Sequence, residues 1–402
     1  MSSEKATMAS FKTYTDRLSW FVFFFSVCFC TFLFMIPDQW PRHILIGLIA
    51  ISVLFSLREI RRPEHLLEIR EFFKPWLPWF LGLTILSLYH GLDGFSRYFN
   101  ALVIPLLLFI SLKQIQIKRD TLLGLLACIS IVFSILICWD IYKNGGVQTN
   151  ILGLNKNILI PLNTLSNIAC LIALFTYESN LNNKLRALLT GCSFIALCAL
   201  VLSESRTALL AYLFTLPIVV IYSTQNKKRY AFIFGLVLLT LISLFFLSGR
   251  MQEGIADLKL YNAGNTNSSW GIRLVLWEAA LESFKSHPIF GLGPNFEVIK
   301  MLPDVRHLHN IQHLHSDYFQ FLTIGGFLGI ISWLSTCILL LIQAKKDPCR
   351  LAIIIASLAM GLSEKFWNYW SALIALVVLL TLFYVSQPYD TSSPSKQSLL
   401  NK

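Results

Sequence analysis

Three groups of residues in this 402-residue sequence are of types that could hold a phosphate or move a proton. Arg206 lies in Ser203-Glu-Ser-Arg-Thr-Ala, and Arg273 lies in Trp270-Gly-Ile-Arg-Leu-Val-Leu-Trp277. A guanidinium keeps its charge and presents a fork of N–H donors, so two arginines converging at a membrane boundary would clamp a pyrophosphate. The structural alternative is that Arg206 anchors the end of a span and Arg273 pairs with a neighbour such as Glu278.

The third group is the run His307-Leu-His309-Asn-Ile-Gln-His313-Leu-His315-Ser316. Histidines two positions apart point the same way along an extended strand, which would suit a metal ion. A single neutral imidazole would instead act as a general base, because histidine alone titrates near neutral pH. No cysteine and no His-Glu-x-x-His helix stands nearby to complete a metal site, so the base is the favoured reading. His307 and His309 read as solvated or packed side chains. Glu364 and Lys365 read as a surface ion pair, with Glu364 a weaker candidate to orient a histidine.

The elements that must position these residues are membrane helices. Hydrophobic residues make up 55% of the chain and charged ones only 14%, with 31 Phe and 10 Trp, which excludes a soluble domain of this size. The apolar runs are long enough to cross a hydrocarbon core as helices and lack the alternation of a membrane β-barrel. About twelve spans are expected, near 18–36, 40–57, 75–91, 99–112, 121–141, 157–177, 187–203, 207–223, 231–249, 318–343, 351–363 and 369–387. The first reads as an uncleaved span rather than a signal peptide, because it is too long and lacks a small-x-small exit.

The net charge of +11 comes from basic residues set in small groups between apolar runs. No basic stripe with interleaved aromatics occurs, so no nucleic-acid partner is expected. Most of the 33 Lys and Arg fall in the segments that would be cytoplasmic if both termini lie inside, and the positive-inside rule then puts both termini there. All nine cysteines lie in or beside apolar runs, which argues against a disulfide framework or a zinc–cysteine site.

The connection from Arg250 to Asp317 is the longest, and loops of that length usually carry function. It is expected to open as coil around Asn262 to Ser269. An amphipathic helix then runs from Ile272 to Ser286, capped by Ser268 or Ser269 and ended by Pro288 and Gly291-Leu-Gly293-Pro294. Gly326 and Gly329 read as sites of close helix packing. The chain thus divides into helices 1 to 9 (1–249), a long periplasmic loop (250–317), helices 10 to 12 (318–387) and a cytoplasmic tail (388–402).

Three segments together resemble the O-antigen ligase family, a branch of a superfamily that includes O-antigen polymerases and O-linked oligosaccharyltransferases. They are Ser-x-Ser-Arg-x-Ala at 203–208, Gly-x-Arg-Leu-x-Leu-Trp at 271–277 with Pro-x-x-Gly-x-Gly at 288–293, and His-Ser-x9-Gly-x-x-Gly from His315 to Gly329. The resemblance implies an all-α, GT-C-like glycosyltransferase of the bacterial inner membrane, multi-pass, with its active site facing the periplasm. It would transfer O-antigen from undecaprenyl pyrophosphate to lipid A-core oligosaccharide in lipopolysaccharide biosynthesis. By the same resemblance Arg206 and Arg273 contact the pyrophosphate, His315 is the catalytic histidine, and Glu364 is the nearest match to an acidic residue of the last outer loop.

This chemistry needs no cofactor, because the anomeric phosphate bond is already activated. No Asp-x-Asp pair stands on an outer loop, so no metal is expected. The nearest alternatives are the polymerase of the same repeat units and a protein-glycosylating relative. A transporter of lipid-linked sugars is the alternative of another class; it would place charges within the spans along a substrate path.

Overall fold

The computed structural model describes residues 19–23, 47, 63–113, 115, 117–145, 150–151, 154–177, 180–223, 248–303, 305, 308, 311 and 313–386. In hydrocarbon a backbone amide has no water to bond, so apolar segments close their hydrogen bonds within helices. The helices are α1 (Pro63–Phe73), α2 (Leu77–His90), α3 (Ser96–Leu112), α4 (Arg119–Asn144), α5 (Lys156–Thr176), α6 (Asn183–Leu202), α7 (Arg206–Tyr222), α8 (Ser248–Asn262), α9 (Ser269–Ser286), α10 (Val298–Met301), α11 (Asp317–Ala344), α12 (Pro348–Gly361) and α13 (Trp370–Val385). A two-residue antiparallel ladder, β1 (Asn150–Ile151) with β2 (Leu154–Asn155), precedes α5.

Nine of the expected spans correspond to helices α2 to α7 and α11 to α13. The other three, 18–36, 40–57 and 231–249, fall almost wholly outside the described residues. Among the described residues four helices are long and apolar enough to cross a membrane: Arg119–Asn144, Leu159–Thr176, Asn183–Leu202 and Asp317–Ala344. The chain is an all-α membrane protein with several such helices.

Helices α4, α5 and α6 pack on one another, α5 and α7 both pack on α12, α2 packs on α11, and α13 packs on α3. Lipid tails are as apolar as leucine, so these contacts depend on close fit and on hydrogen bonds between helices. Gly82 in α2 shows the fit, because a Cβ there would lie 2.4 Å from the Ser332 hydroxyl of α11. The Trp79 amide, one of the first-turn N–H groups with no partner inside α2, donates to Thr336 Oγ1 of α11 at 3.1 Å. Beside that bond Trp79, Phe321, Trp333 and Trp367 form a buried aromatic cluster, with Phe321 stacked on Trp333 at 4.7 Å.

Helix α11 has 28 residues, so its two ends lie roughly 40 Å apart. Beyond its C-terminal end Arg119 forms a buried pair with Asp347, Nη2 to Oδ2 2.7 Å, and also donates to the Phe383 carbonyl. That knot joins the start of α4, the α11–α12 turn and the end of α13. The candidate site lies at the other end.

Near that other end α11 breaks. Gly326 is left-handed (φ 57°, ψ −145°), and the segment after α9 inserts into the break. Leu292 and Gly293 amides donate to the Thr323 and Ile324 carbonyls, while Phe327 and Leu328 amides donate to Pro288 and Ile289 carbonyls. Gly291 and Gly326 must lack side chains, since a Cβ on either would come within 2.7 Å of the opposing backbone. The reading of Gly326 as a helix-packing glycine is therefore corrected. It opens α11 to the Pro288–Gly293 strap, whose backbone bonds the groups that the break leaves without helical partners.

Candidate functional site

Four segments meet at the Asp317 end of α11: the start of α7, the inner face of α9, the turn through His315, and the loop between α12 and α13. Each is shaped by its local sequence. Helix α7 starts at Arg206 because Ser205 caps it, its side chain accepting from the Ala208 amide at 3.3 Å. Helix α9 starts at Ser269, three residues before the expected Ile272, with Ser268 as the cap that accepts from the Gly271 amide.

Trp270, Arg273 and Trp277 lie at i, i+3 and i+7 on α9 and share one face. Each fastens a different partner. The Trp270 amide donates to Asp257 of α8 at 3.2 Å. Trp277 stacks on Phe319 and donates through Nε1 to the Leu314 carbonyl at 2.9 Å, which fixes the residue beside His315. Arg273 donates through Nη1 to Ser269 Oγ at 2.8 Å and through Nη2 to Glu364 Oε1 at 3.2 Å. Its Nε–H is shielded from solvent and has no protein acceptor.

This geometry corrects two readings from the sequence. Arg273 pairs with Glu364 rather than Glu278, which instead accepts from Tyr261 of α8. Glu364 pairs with Arg273 rather than Lys365, whose ammonium lies 5.5 Å from the Tyr369 ring centre. Helix α8 is itself a departure, because its apolar residues Ile255, Leu258 and Leu260 are exposed rather than packed in a core. Its inward positions are Glu253, Asp257 and Tyr261, at i, i+4 and i+8, and they face a cavity and α9 rather than a core.

His315 adopts a left-handed backbone (φ 51°), a conformation that costs a non-glycine residue about 1–3 kcal/mol and tends to persist at functional sites. Its Nδ1 lies 3.6 Å from Glu364 Oε2, within ion-pair range and longer than a hydrogen bond. The His313 ring stands 4.2 Å from the His315 ring. His307 and His309 lie outside the described residues.

A cavity of about 920 Å³ opens between these segments. Its lining includes the charged or titratable side chains of Arg206, Arg273, Glu364, Lys365 and His313, with Glu204, Glu253 and Asp257. Ile141, Ile160, Pro161, Leu202, Leu210 and Met360, from five membrane helices, are also on its wall. The structure thus brings Arg206, Arg273 and Glu364 to one space. His315 is not on its wall but directly behind, in contact with Glu364 and His313, with 26% of its side chain exposed.

The charges set the protonation of the site. Burial pushes the Glu364 carboxyl up, and the neighbouring His315 and Arg273 more than reverse that, leaving it below its ordinary value and ionised at neutral pH. Burial, reinforced by His315 and Lys365, lowers His313 to about 4, so it is neutral and a poor proton acceptor near pH 7. Among the described residues no three His, Cys, Asp or Glu side chains converge as metal ligands would.

The His313 shift has a consequence for stability. Its pKa falls from 6.5 to about 4 on folding, so the unfolded chain binds the extra proton first on acidification. The stabilisation is complete above pH 6.5 and is lost as pH drops through 4. Replacement by glutamine should flatten the acid side of the thermal-stability profile between those values. A variant profile as steep as the wild type would count against this environment for His313.

Comparison with known proteins bears on the same residues. Residues 191–334 match the O-antigen ligase family, a stretch that runs from α6 to α11 and contains Arg206, Arg273, His313 and His315 but not Glu364. No curated protein matches the chain. Over residues 191–334, about a third of the chain, the protein is thus similar to the O-antigen ligase family.

Proposed function

We propose that this protein is an O-antigen ligase, transferring glycan from undecaprenyl pyrophosphate to lipid A-core oligosaccharide at the periplasmic face of the bacterial inner membrane. The observation that carries the reading is the mixed lining of the cavity. A polyprenyl pyrophosphate is apolar over its tail and doubly charged at its head, and the cavity wall combines apolar side chains from the spans with two arginines. Arg273 adds a shielded Nε–H with no protein acceptor, a donor that a phosphate oxygen would satisfy.

In the proposed step a core-sugar hydroxyl oxygen attacks the anomeric carbon of the donor glycan. The bond from that carbon to the phosphate oxygen breaks, and its electron pair leaves with undecaprenyl pyrophosphate. The hydroxyl proton passes to His315. In-line attack inverts the anomeric centre. Arg206 and Arg273 stabilise charge that grows on the leaving pyrophosphate, and fixed guanidinium groups can do this without a divalent metal. Glu364 bridges the two functions, because one oxygen faces Arg273 and the other faces His315. His315 is preferred to His313 as the base because burial keeps His313 a weak acceptor.

Both termini are cytoplasmic in this reading and the fold is a GT-C-like arrangement of twelve spans. Residues 1–249 and 318–387 form the membrane unit, 250–317 its periplasmic loop and 388–402 the tail. The polymerase of the same superfamily shares the chemistry and differs in acceptor, so lipopolysaccharide from a strain lacking the gene separates the readings. Loss of a ligase leaves bare core, with polymer stranded on the carrier. Core bearing a single repeat would instead identify a polymerase, and single repeats held on the cytoplasmic side would identify a flippase.

A further inference from the structure

Asp317 takes no part in the reaction proposed above, yet its carboxylate accepts four hydrogen bonds. It is fully buried as the first residue of α11. Its Oδ2 accepts from the backbone amides of Phe366 at 3.0 Å and Trp367 at 2.7 Å, and its Oδ1 accepts from the Asn368 amide at 2.9 Å and Asn368 Nδ2 at 3.0 Å. Three consecutive amides of the α12–α13 loop thus converge on one carboxylate.

The surroundings are built for this grip. Gly361, at the end of α12, leaves the space that the carboxylate fills, since a Cβ there would lie 2.7 Å from Asp317 Oδ2. Ser316 Oγ donates to the Gly361 carbonyl at 3.4 Å, and Tyr98 of α3 donates to Asn368 Oδ1 at 2.6 Å. An acidic residue in the first turn of a helix ordinarily serves that helix's own amides and dipole. Asp317 spends its oxygens on a segment 49 to 51 residues away instead.

Sequence distances give the grip its meaning. His315 stands two residues before Asp317, and Glu364 stands two residues before Phe366. The same carboxylate therefore fixes both ends of the 3.6 Å contact between His315 and Glu364. We infer that Asp317 is a positioning residue, holding the Glu364 loop in register with the His315 turn so that Glu364 meets His315 and Arg273 together. This rests on the ligase reading and on the role that reading gives Glu364.

The test is a double-mutant cycle in the full-length protein, with transfer rates measured at matched abundance. Asp317→Asn keeps the shape and removes the charge that receives three amides. It is expected to lower kcat by about 10- to 100-fold with KM little changed, because a displacement of about 1 Å in a reacting group has effects of that order. Glu364→Gln alone should also lower kcat. If Asp317 acts through Glu364, the double variant falls no further than the slower single variant.

Should Asp317→Asn fail to fold, Gly361→Ala replaces it in the cycle, because the added methyl crowds Oδ2 while the carboxylate remains. Wild-type kcat in Asp317→Asn, or losses that multiply in the double variant, would overturn the inference and leave Asp317 a purely structural residue. Wild-type rate in Glu364→Gln would remove the role of Glu364 and the inference with it, while transfer by the unaltered enzyme would still uphold the ligase reading.

Discussion

His315→Ala should lower the transfer rate by about 10² to 10⁴, the usual effect of removing a general base, and so abolish visible ligation. The residue lies in a strained turn and its Nδ1 faces the carboxylate of Glu364. That arrangement orients the ring and stabilises the imidazolium formed when the acceptor proton arrives. His313→Ala provides the comparison within the same turn. His313 touches the cavity, but a pKa near 4 makes it the weaker base, so its loss should cost much less. Rates of purified variants with donor saturating decide between them, and a larger loss for His313→Ala would transfer the assignment to that residue.

Arg273→Ala should reduce kcat/KM by about 10² to 10³, the scale expected when a preorganised charge donor is removed from a transition state. Arg273→Lys should recover little of it. The guanidinium works in three directions at once, toward Ser269, toward Glu364 and through its shielded Nε–H, and an ammonium on a flexible stem cannot span them. The side chain of Arg273 is 21% exposed and that of Glu364 is 44% exposed, so the pair is no keystone of the fold and both variants should reach the membrane normally. Wild-type turnover by correctly inserted Arg273→Ala would remove the clamp from the account. Arg206→Ala should show a loss in the same direction.

How much of this was legible in the sequence follows from what each feature depends on. Apolar helices and the Ser268 cap depend on local chemistry, and among the described residues nine of the expected spans correspond to helices and the cap forms at Ser268. Arg206 and Arg273 lie in different helices and line the same cavity, and whether they act as a clamp is what the alanine variants test. The orientation of helix α8 was not legible, because its polar residues Glu253 and Asp257 face the cavity while Ile255, Leu258 and Leu260 are exposed, the reverse of the usual amphipathic arrangement. The partner of Glu364 was not legible either. Its neighbour Lys365 is adjacent in sequence, whereas Arg273 is 91 residues away and is brought near only by the packing of α9 on α11.

The glycines of the His-Ser-x9-Gly-x-x-Gly pattern show the same limit. A glycine in an apolar run indicates that something approaches closely, but not what approaches. At Gly326 it is a strap of backbone, not a second helix. Asp317 left one signal unread, a carboxylate at the head of a long apolar run, where burial without partners would be costly. The structure supplies those partners from the loop that carries Glu364.

The most direct measurement is transfer by the purified full-length protein, given an undecaprenyl-pyrophosphate-linked glycan and lipid A-core in excess EDTA. The expected result is glycan on the lipid A-core with release of undecaprenyl pyrophosphate, at a rate that chelation leaves unchanged. Elongation of the carrier-linked glycan with no product on lipid A-core would contradict the ligase assignment, and activity lost to EDTA and restored by zinc or magnesium would contradict the metal-free mechanism.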